Sequence, residues 1–109
     1  MRTAFAPQGM TAFEASQVRD RLQQRLVSII DMSLVLKHTH WNVVGPGFIS
    51  IHELFDQQVD QVREMADELA ERIATLGGVP NGLAGEIVAT RTWDDYALGR
   101  SVAQAHLGA

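Results

Sequence analysis

Two histidines and an aspartate are spaced about a helix-breaking Gly-Pro-Gly in the segment HTHWNVVGPGFISIHELFD, residues 38–56. His40 comes six residues before Pro46, His52 comes six residues after it, and Asp56 follows one helical turn later. Two antiparallel helices joined at such a breaker bring positions equidistant from the turn to the same level. Either histidine alone is typical of an ordinary half-buried residue. The pair with Asp56 predicts a group of ligands near the tip of a helical hairpin.

The second predicted helix carries further carboxylates on the same flank as His52. Counted from His52 at about 100° per residue, Asp56 lies at about 40°. Asp67 and Glu71 lie at about 60° and 100° by the same count, and their i, i+4 spacing lets their carboxylates converge. This flank borders the apolar stripe of the helix. A solvated acidic face is the alternative interpretation.

One copy of the chain cannot bring all these ligands to one ion. His52 and Asp67 are fifteen residues apart, which is about 22 Å along a helix, whereas metal–ligand bonds are about 2 Å long. If two copies of the second helix pair antiparallel about a two-fold axis near residues 60–62, His52 faces the carboxylates of its mate. The spacing therefore predicts two identical sites. Each site combines one copy's His40, His52 and Asp56 with the other copy's Asp67 and Glu71.

The ligand types restrict the metal. Mixed imidazole and carboxylate ligation without thiolate suits iron(II) or manganese, and zinc is also compatible. Carboxylates stabilise iron(III) after oxidation as well. The set therefore favours redox chemistry of iron (Fe2+/Fe3+) over a purely structural zinc site.

Helical periodicity defines the two elements that must position these residues. Thr11 and Glu14 form a capping-box pattern, and a stripe with 4-3-4-3 spacing then predicts a helix to about Val43. A second stripe predicts a helix that starts near Phe48 or, alternatively, at a Ser50 cap, and that ends at Gly77-Gly78. The members of the first stripe are Leu22, Leu26, Ile29, Ser33, Leu36 and His40, and those of the second are Phe55, Val59, Val62, Ala66, Leu69, Ile73 and Leu76.

The remaining segments are shorter. Residues 1–10 are expected to form a flexible tail, and residues 77–92 a loop with a helical turn at EIVA. The segment TWDDYALG, residues 92–99, predicts a short helix, and Ser101 with Gln104 predicts the cap of a third long helix. Eight residues follow Ser101. The chain is thus interpreted as one partial domain, residues 1–109, that is truncated at its C-terminal side.

Length, charge and composition exclude several classes of protein. The chain has 109 residues, a net charge of −4 and no cysteine, which excludes disulfide frameworks and thiolate metal sites. The acidic balance and the absence of a basic N-terminal arm give DNA binding only weak support. No apolar run approaches a membrane span, and no signal peptide is evident, so we expect a cytoplasmic protein without a membrane partner.

The segment KHTHWNVVGPGFISIHELFDQQVDQVREMADELAERIATLGG resembles the signature region of the Dps family, the miniferritins of the ferritin-like superfamily. The pattern H-W-N-V, G-P-x-F, H-E-x-x-D, D-E-x-x-E-R and L-G-G carries the resemblance, which extends over roughly residues 11–107. It implies an all-α ferritin-like four-helix bundle. This chain would hold the first two long helices, a short connecting helix and the start of the third.

The same resemblance implies a function. Dps proteins form hollow shells of twelve subunits, oxidise iron(II), preferably with hydrogen peroxide, and store the ferric product, which protects DNA from oxidative damage. The family's ferroxidase ligands match His40, His52, Asp56, Asp67 and Glu71. The expected partners are therefore other copies of the chain, iron and hydrogen peroxide, with nucleoid association as a variant of the cytoplasmic location. The alternatives are a DNA-compacting protein with little catalysis and an inactive fragment.

Overall fold

A computed structural model of the chain describes residues 9–45, 47–93 and 101–102. The architecture is an antiparallel hairpin of two long helices with a short third helix packed on its first helix. The all-α class predicted from the sequence is confirmed. The elements in chain order are α1 (Ala12–Asn42), β1 (Val43–Val44), α2 (Phe48–Thr75), α3 (Ala84–Thr90) and β2 (Ser101–Val102).

Helix α1 begins at the predicted capping box. The Glu14 backbone N–H donates to Thr11 Oγ1 at 3.0 Å, and the Thr11 backbone N–H donates to Glu14 Oε1 at 3.1 Å. These bonds satisfy two donors that a helix start leaves without intrahelical partners. The hydrogen bond from the Thr11 backbone, followed by that with the Thr11 side chain, lowers the pKa of Glu14 below its ordinary value of 4.5.

The breaker ends α1 and starts α2 within a few residues. The Val43 N–H still donates to Thr39 O, after which Val43 and Val44 are extended. Gly47 then adopts φ 77°, a left-handed conformation that favours glycine, and serves as the N-cap of α2. Helix α2 therefore starts at Phe48, and the alternative start at a Ser50 cap is wrong. Such a tight connection makes the two helices antiparallel neighbours.

The core lies between the predicted stripes of α1 and α2. Leu26 and Val59 are the largest fully buried side chains, and burial of such a side chain contributes about 1.5–3 kcal/mol. Ser33 is buried within the α1 stripe because its hydroxyl donates to Ile30 O at 2.6 Å. On α2, the stripe members that are buried are Phe55, Val59, Val62, Ile73 and Leu76.

Two glycines end α2 with a Schellman motif. The Gly77 N–H donates to Ala74 O at 3.0 Å and the Gly78 N–H donates to Ile73 O at 2.9 Å, while Gly77 has φ 83°. Arg19 Nη1 of α1 donates to the neighbouring Leu76 carbonyl at 2.7 Å. A Cβ at Gly78 would lie 2.7 Å from Arg19 Cδ, so the close approach of this turn to α1 requires glycine.

The following loop and α3 pack on a second face of α1. Asp31 is buried there and accepts hydrogen bonds from Arg91 Nη1 at 3.2 Å and from Trp93 Nε1. Ile87 of α3 is buried as well. The helical turn predicted at EIVA is confirmed and extends to seven residues, Ala84–Thr90.

The segment after α3 returns to the tip of the hairpin. Ser101 and Val102 pair in parallel with Val43 and Val44, in the register Val43–Ser101 and Val44–Val102. Thr92 and Trp93 lie outside any helix. Val102 lies in strand β2 and not in the helix predicted to begin after a Ser101 cap. The rest of that helix and of the predicted short helix to Gly99 falls on residues 94–100 and 103–109, outside the described residues. The expected tail also lies largely outside them, at residues 1–8.

The loop is anchored to α1 by one side-chain amide, which gives a testable prediction. Gln23 Nε2 donates to Asn81 O at 2.8 Å and Gln23 Oε1 accepts from the Asn81 N–H at 3.0 Å. We expect Gln23→Ala to reduce the free energy of unfolding by about 1–3 kcal/mol, because both backbone groups lose their partner. Urea unfolding followed by circular dichroism measures this change.

The adjacent exposed glutamine provides the matched control. We expect Gln24→Ala to change the free energy of unfolding by less than about 0.5 kcal/mol, as is usual for an exposed substitution. Equal effects of the two substitutions would contradict the anchoring role of Gln23.

Candidate metal centre

His40 and His52 hold each other across the hairpin. His40 Nδ1 donates to His52 O, and His52 Nδ1 donates to His40 O at 2.6 Å. The two rings stack with their centroids 3.5 Å apart and an interplanar angle of 21°. We call this pair of exchanged hydrogen bonds the histidine clasp. The sequence prediction that the two residues lie at one level is confirmed.

The histidine clasp determines which ring nitrogens remain free to bind a ligand. A carbonyl oxygen can only accept, so Nδ1 carries the proton in both rings. In the neutral ring, Nε2 of each histidine then holds the lone pair that a metal would bind. Metal-bound histidines commonly donate the N–H of their other ring nitrogen to a backbone carbonyl. This hydrogen bond fixes both the orientation of the ring and its tautomer.

Asp56 lies beside the clasp but is paired with a lysine. Asp56 Oδ1 is 3.8 Å from His40 Nε2 and accepts a hydrogen bond from Lys37 Nζ at 2.7 Å. The hydrogen bond from Lys37 is the main cause that lowers the pKa of Asp56 below its ordinary value of 3.8. Partial burial opposes this effect, and the charges of Lys37 and the two imidazoles add to it. Asp56 is therefore a carboxylate at neutral pH.

Asp67 and Glu71 are far from this group in the single chain. Both lie on α2 with exposed side chains, and His52 is about 22 Å from Asp67 along the helix axis. Among residues 9–45, 47–93 and 101–102, no three His, Cys, Asp or Glu side chains are close enough together to hold a metal ion. The fold thus pairs His40 with His52 and sets Asp56 Oδ1 3.8 Å from His40 Nε2, which is short of a complete metal-binding group within the described residues. It leaves Asp67 and Glu71 as a separate exposed pair.

Sequence reasoning missed the lysine in this centre. Lys37 precedes His40 by three residues, so helical spacing alone places the two side chains on one face of α1. That spacing was the available signal. The partner on α2 could not be found in the same way, since Asp56 and Lys37 are nineteen residues apart in sequence and meet only in the folded hairpin.

Comparisons with known proteins agree with this fold. The ferritin-like domain family matches residues 19–107. A DNA protection during starvation protein of Mycolicibacterium smegmatis is 54% identical over 107 residues, which cover 98% of this chain and 58% of that protein. The fine tangled pili major subunit of Haemophilus ducreyi is 52% identical over 91% of this chain and 52% of its own length.

Solved structures show the same similarity. The tetragonal form of Mycobacterium smegmatis Dps superimposes with a TM-score of 0.94 at 53% identity, covering 98% of this chain and 65% of that one. DpsA14 from Streptomyces coelicolor gives a TM-score of 0.90 at 54% identity, covering 95% and 62%. The fold and the helical hairpin are those of ferritin-like proteins, and the chain belongs to the Dps branch of that family. It spans 58% of the length of the M. smegmatis relative.

Within the described part of the chain, no helix is both long enough and apolar enough to cross a bilayer.

The lysine beside Asp56 generates a prediction about pH. We expect Lys37→Met to raise the pKa of Asp56, because the substitution removes the hydrogen bond and charge that lower it. In the wild type, the Asp56 contribution to stability is present above its ordinary pKa of 3.8 and is lost as the pH falls through the lowered folded value. In Lys37→Met, the contribution made by the pair is absent at every pH. A carboxyl-carbon NMR titration of Asp56 measures the shift.

Lys37→Arg is the control for this titration, since it retains a cation and hydrogen-bond donors. We expect the pKa of Asp56 to stay below its ordinary value in this variant. An unchanged titration of Asp56 in Lys37→Met would show that Lys37 does not control the charge of this carboxylate.

Proposed function

We propose that the chain oxidises iron(II) and stores the ferric product, as a ferroxidase subunit whose sites are shared between two-fold-related copies. The histidine clasp carries this proposal. It leaves Nε2 of both rings outside the exchanged hydrogen bonds, and His40 Nε2 is 3.8 Å from Asp56 Oδ1. Two imidazoles and one carboxylate form part of a metal-binding ligand set, and further oxygen ligands are needed to complete it.

A second copy supplies those ligands through α2. Antiparallel pairing of two α2 helices about an axis near residues 60–62 places Asp67 and Glu71 of one copy opposite His52 of the other. Their exposure in the single chain supports this role, because neither carboxylate is covered by its own hairpin. The same rotation generates a second, identical site.

The ligand set suits iron as a substrate. Imidazole nitrogens bind iron(II), and the three carboxylates add negative charge that favours iron(III). Two iron(II) ions give one electron each to one hydrogen peroxide molecule, which takes up two protons and leaves as two water molecules. Iron(II) and peroxide are consumed together, so the combination that generates hydroxyl radicals is removed. The ferric product would be held inside a shell of twelve subunits, the assembly expected from the family.

Before a cation binds, Lys37 forms an ion pair with Asp56. An iron ion that binds Asp56 through Oδ1 must displace the Lys37 ammonium from that oxygen. The lysine meanwhile keeps Asp56 ionised and offsets its charge in the free chain.

A cytoplasmic location accords with this chemistry, because iron(II) and DNA meet there. Relatives carry the name DNA protection during starvation protein, and we attribute protection in this chain to consumption of iron and peroxide. The alternative is compaction of DNA by direct binding. A net charge of −4 disfavours it. A salt-dependent gel shift separates the two, since we expect no shift at physiological salt.

Complementation between two inactive variants tests whether the sites are shared. We expect His52→Ala and Asp67→Ala each to abolish peroxide-driven iron oxidation. In an equimolar mixture, half of the dimers are mixed and each has one intact site, so about a quarter of the wild-type sites should return. Absorbance of the ferric product measures activity after subunit exchange is verified by mass spectrometry.

Glu64→Ala is the matched control, because it removes another exposed carboxylate of α2 without removing a proposed ligand. We expect wild-type oxidation from this variant. Absence of recovery in a mixture with verified exchange would contradict shared sites. A single noncooperative melt with scattered oligomer sizes, seen by circular dichroism and light scattering, would favour the inactive-fragment alternative instead.

A further inference from the structure

Helix α2 carries one arginine on the flank that holds its proposed metal ligands. Arginine occurs at two positions of α2, Arg63 and Arg72, and lysine occurs at none. Counted from His52 at about 100° per residue, Arg63 lies at about 20°, within the arc of about 0–100° that contains the ligands. Arg72 lies at about −160°, on the other side of the helix. Asp60, at about 80°, shares the flank with Arg63 and is not a proposed ligand.

Arg63 is exposed, and within the described part of the chain it forms no ion pair. Asp60 precedes it by three residues and Asp67 follows it by four, and both spacings allow an ion pair along one face of a helix. Asp60 is exposed as well and is also absent from the ion pairs of the described residues. The Arg63 guanidinium and the Asp60 carboxylate are therefore available to another molecule.

Two-fold pairing of α2 sets Asp60 of one copy opposite Arg63 of the other. For an axis near residues 60–62, the positions of the mate that face Arg63 are about 57–61, and the only acidic residue among them is Asp60. The positions that face Asp60 are about 60–64, where Arg63 is the only basic residue. The flank is thus complementary to itself over the whole range of axis positions that the proposed ligands allow.

We propose that Arg63 of each copy pairs with Asp60 of its mate, and that these two ion pairs fix the register of the two α2 helices. This inference rests on the proposed function, because the shared metal site requires the same two-fold axis. A slide by one helical turn, about 5.4 Å, sets the two Arg63 side chains against each other in one direction. In the other direction it separates Arg63 from Asp60 by a turn. Opposite charges that meet across an interface disfavour such wrong pairings.

The register of α2 matters for the metal site because the ligands come from both copies. A slide by one turn would move Asp67 and Glu71 of one copy by about 5.4 Å relative to His52 of the other, whereas metal–ligand bonds are only about 2 Å long. The ion pair of Arg63 with Asp60 uses none of these ligands. The guanidinium also offsets part of the negative charge that two acidic flanks bring together. Arg63 is therefore a positioning residue for the proposed reaction.

Charge reversal at the two positions tests the proposal. We expect Arg63→Glu and Asp60→Arg each to weaken dimerisation about tenfold or more, because each places two like-charge pairs across the axis. Combining both substitutions in one chain should restore dimerisation, since the facing charges are then opposite again. Sedimentation equilibrium measures the dissociation constant, and circular dichroism confirms that each variant is helical.

A mixture of the two single variants gives a second measurement that does not depend on absolute affinity. In a mixed dimer of Arg63→Glu with Asp60→Arg, both contacts join opposite charges, whereas each variant alone forms two repulsive contacts. We expect mixed dimers well above the roughly one half that random assortment gives, as counted by native mass spectrometry. Wild type mixed with isotopically labelled wild type is the reference and should give about one half.

Arg72→Glu is the matched control, because it makes the same exchange on the side of α2 that faces away from the axis. We expect wild-type dimerisation from this variant. Wild-type dimerisation of both reversed variants would overturn the proposal, as would random assortment in their mixture or a wild-type chain that is monomeric at every concentration.

Iron oxidation separates this proposal from the proposed function. Random assortment of the reversed variants, combined with recovered oxidation in the mixture of His52→Ala and Asp67→Ala, would leave the shared site in place and overturn the ion pair alone. Preferential mixed dimers without that recovery would support the ion pair and contradict the shared metal site.

Discussion

The exchange of hydrogen bonds between His40 and His52 sets the register of the hairpin, and the other features depend on that register. It uses the backbone carbonyl of each histidine as the acceptor for the other ring. A shift of one residue in either helix would rotate a ring by about 100° and break both bonds. The same register aligns the core stripes and brings Lys37 to Asp56.

Helix α1 is unusual for a core helix because it buries polar side chains on two faces. His40 and Ser33 are buried toward α2, and Asp31 is buried toward the loop after α2. Each has a hydrogen-bond partner within the described structure: a carbonyl for His40 and Ser33, and Arg91 with Trp93 for Asp31. Buried polar groups cost little free energy when they are paired in this way. They also make the packing of α1 specific, because each partner must be in place.

Much of the fold could be predicted from short-range patterns. The Thr11 and Glu14 box, the 4-3-4-3 stripes and the Gly77-Gly78 terminator act within one or two helical turns, so the sequence contains all the groups involved. The sequence pattern is compatible with a start of α2 near Phe48 and with a start at a Ser50 cap. The left-handed backbone of Gly47, at φ 77°, makes Gly47 the N-cap and Phe48 the first residue of α2.

By itself, the sequence determined the two long helices, the level shared by His40 and His52, and the distance that keeps Asp67 and Glu71 from joining them in one chain. Those features follow from helical geometry and from the position of the breaker. The tertiary structure alone decided that each ring donates to the opposite carbonyl, that Lys37 holds Asp56 and that Asp31 receives Arg91 and Trp93. Such contacts join residues on different elements. Each of these side chains has several suitable partners in the sequence, and the rotation of the packed helices about their axes decides which of them it contacts.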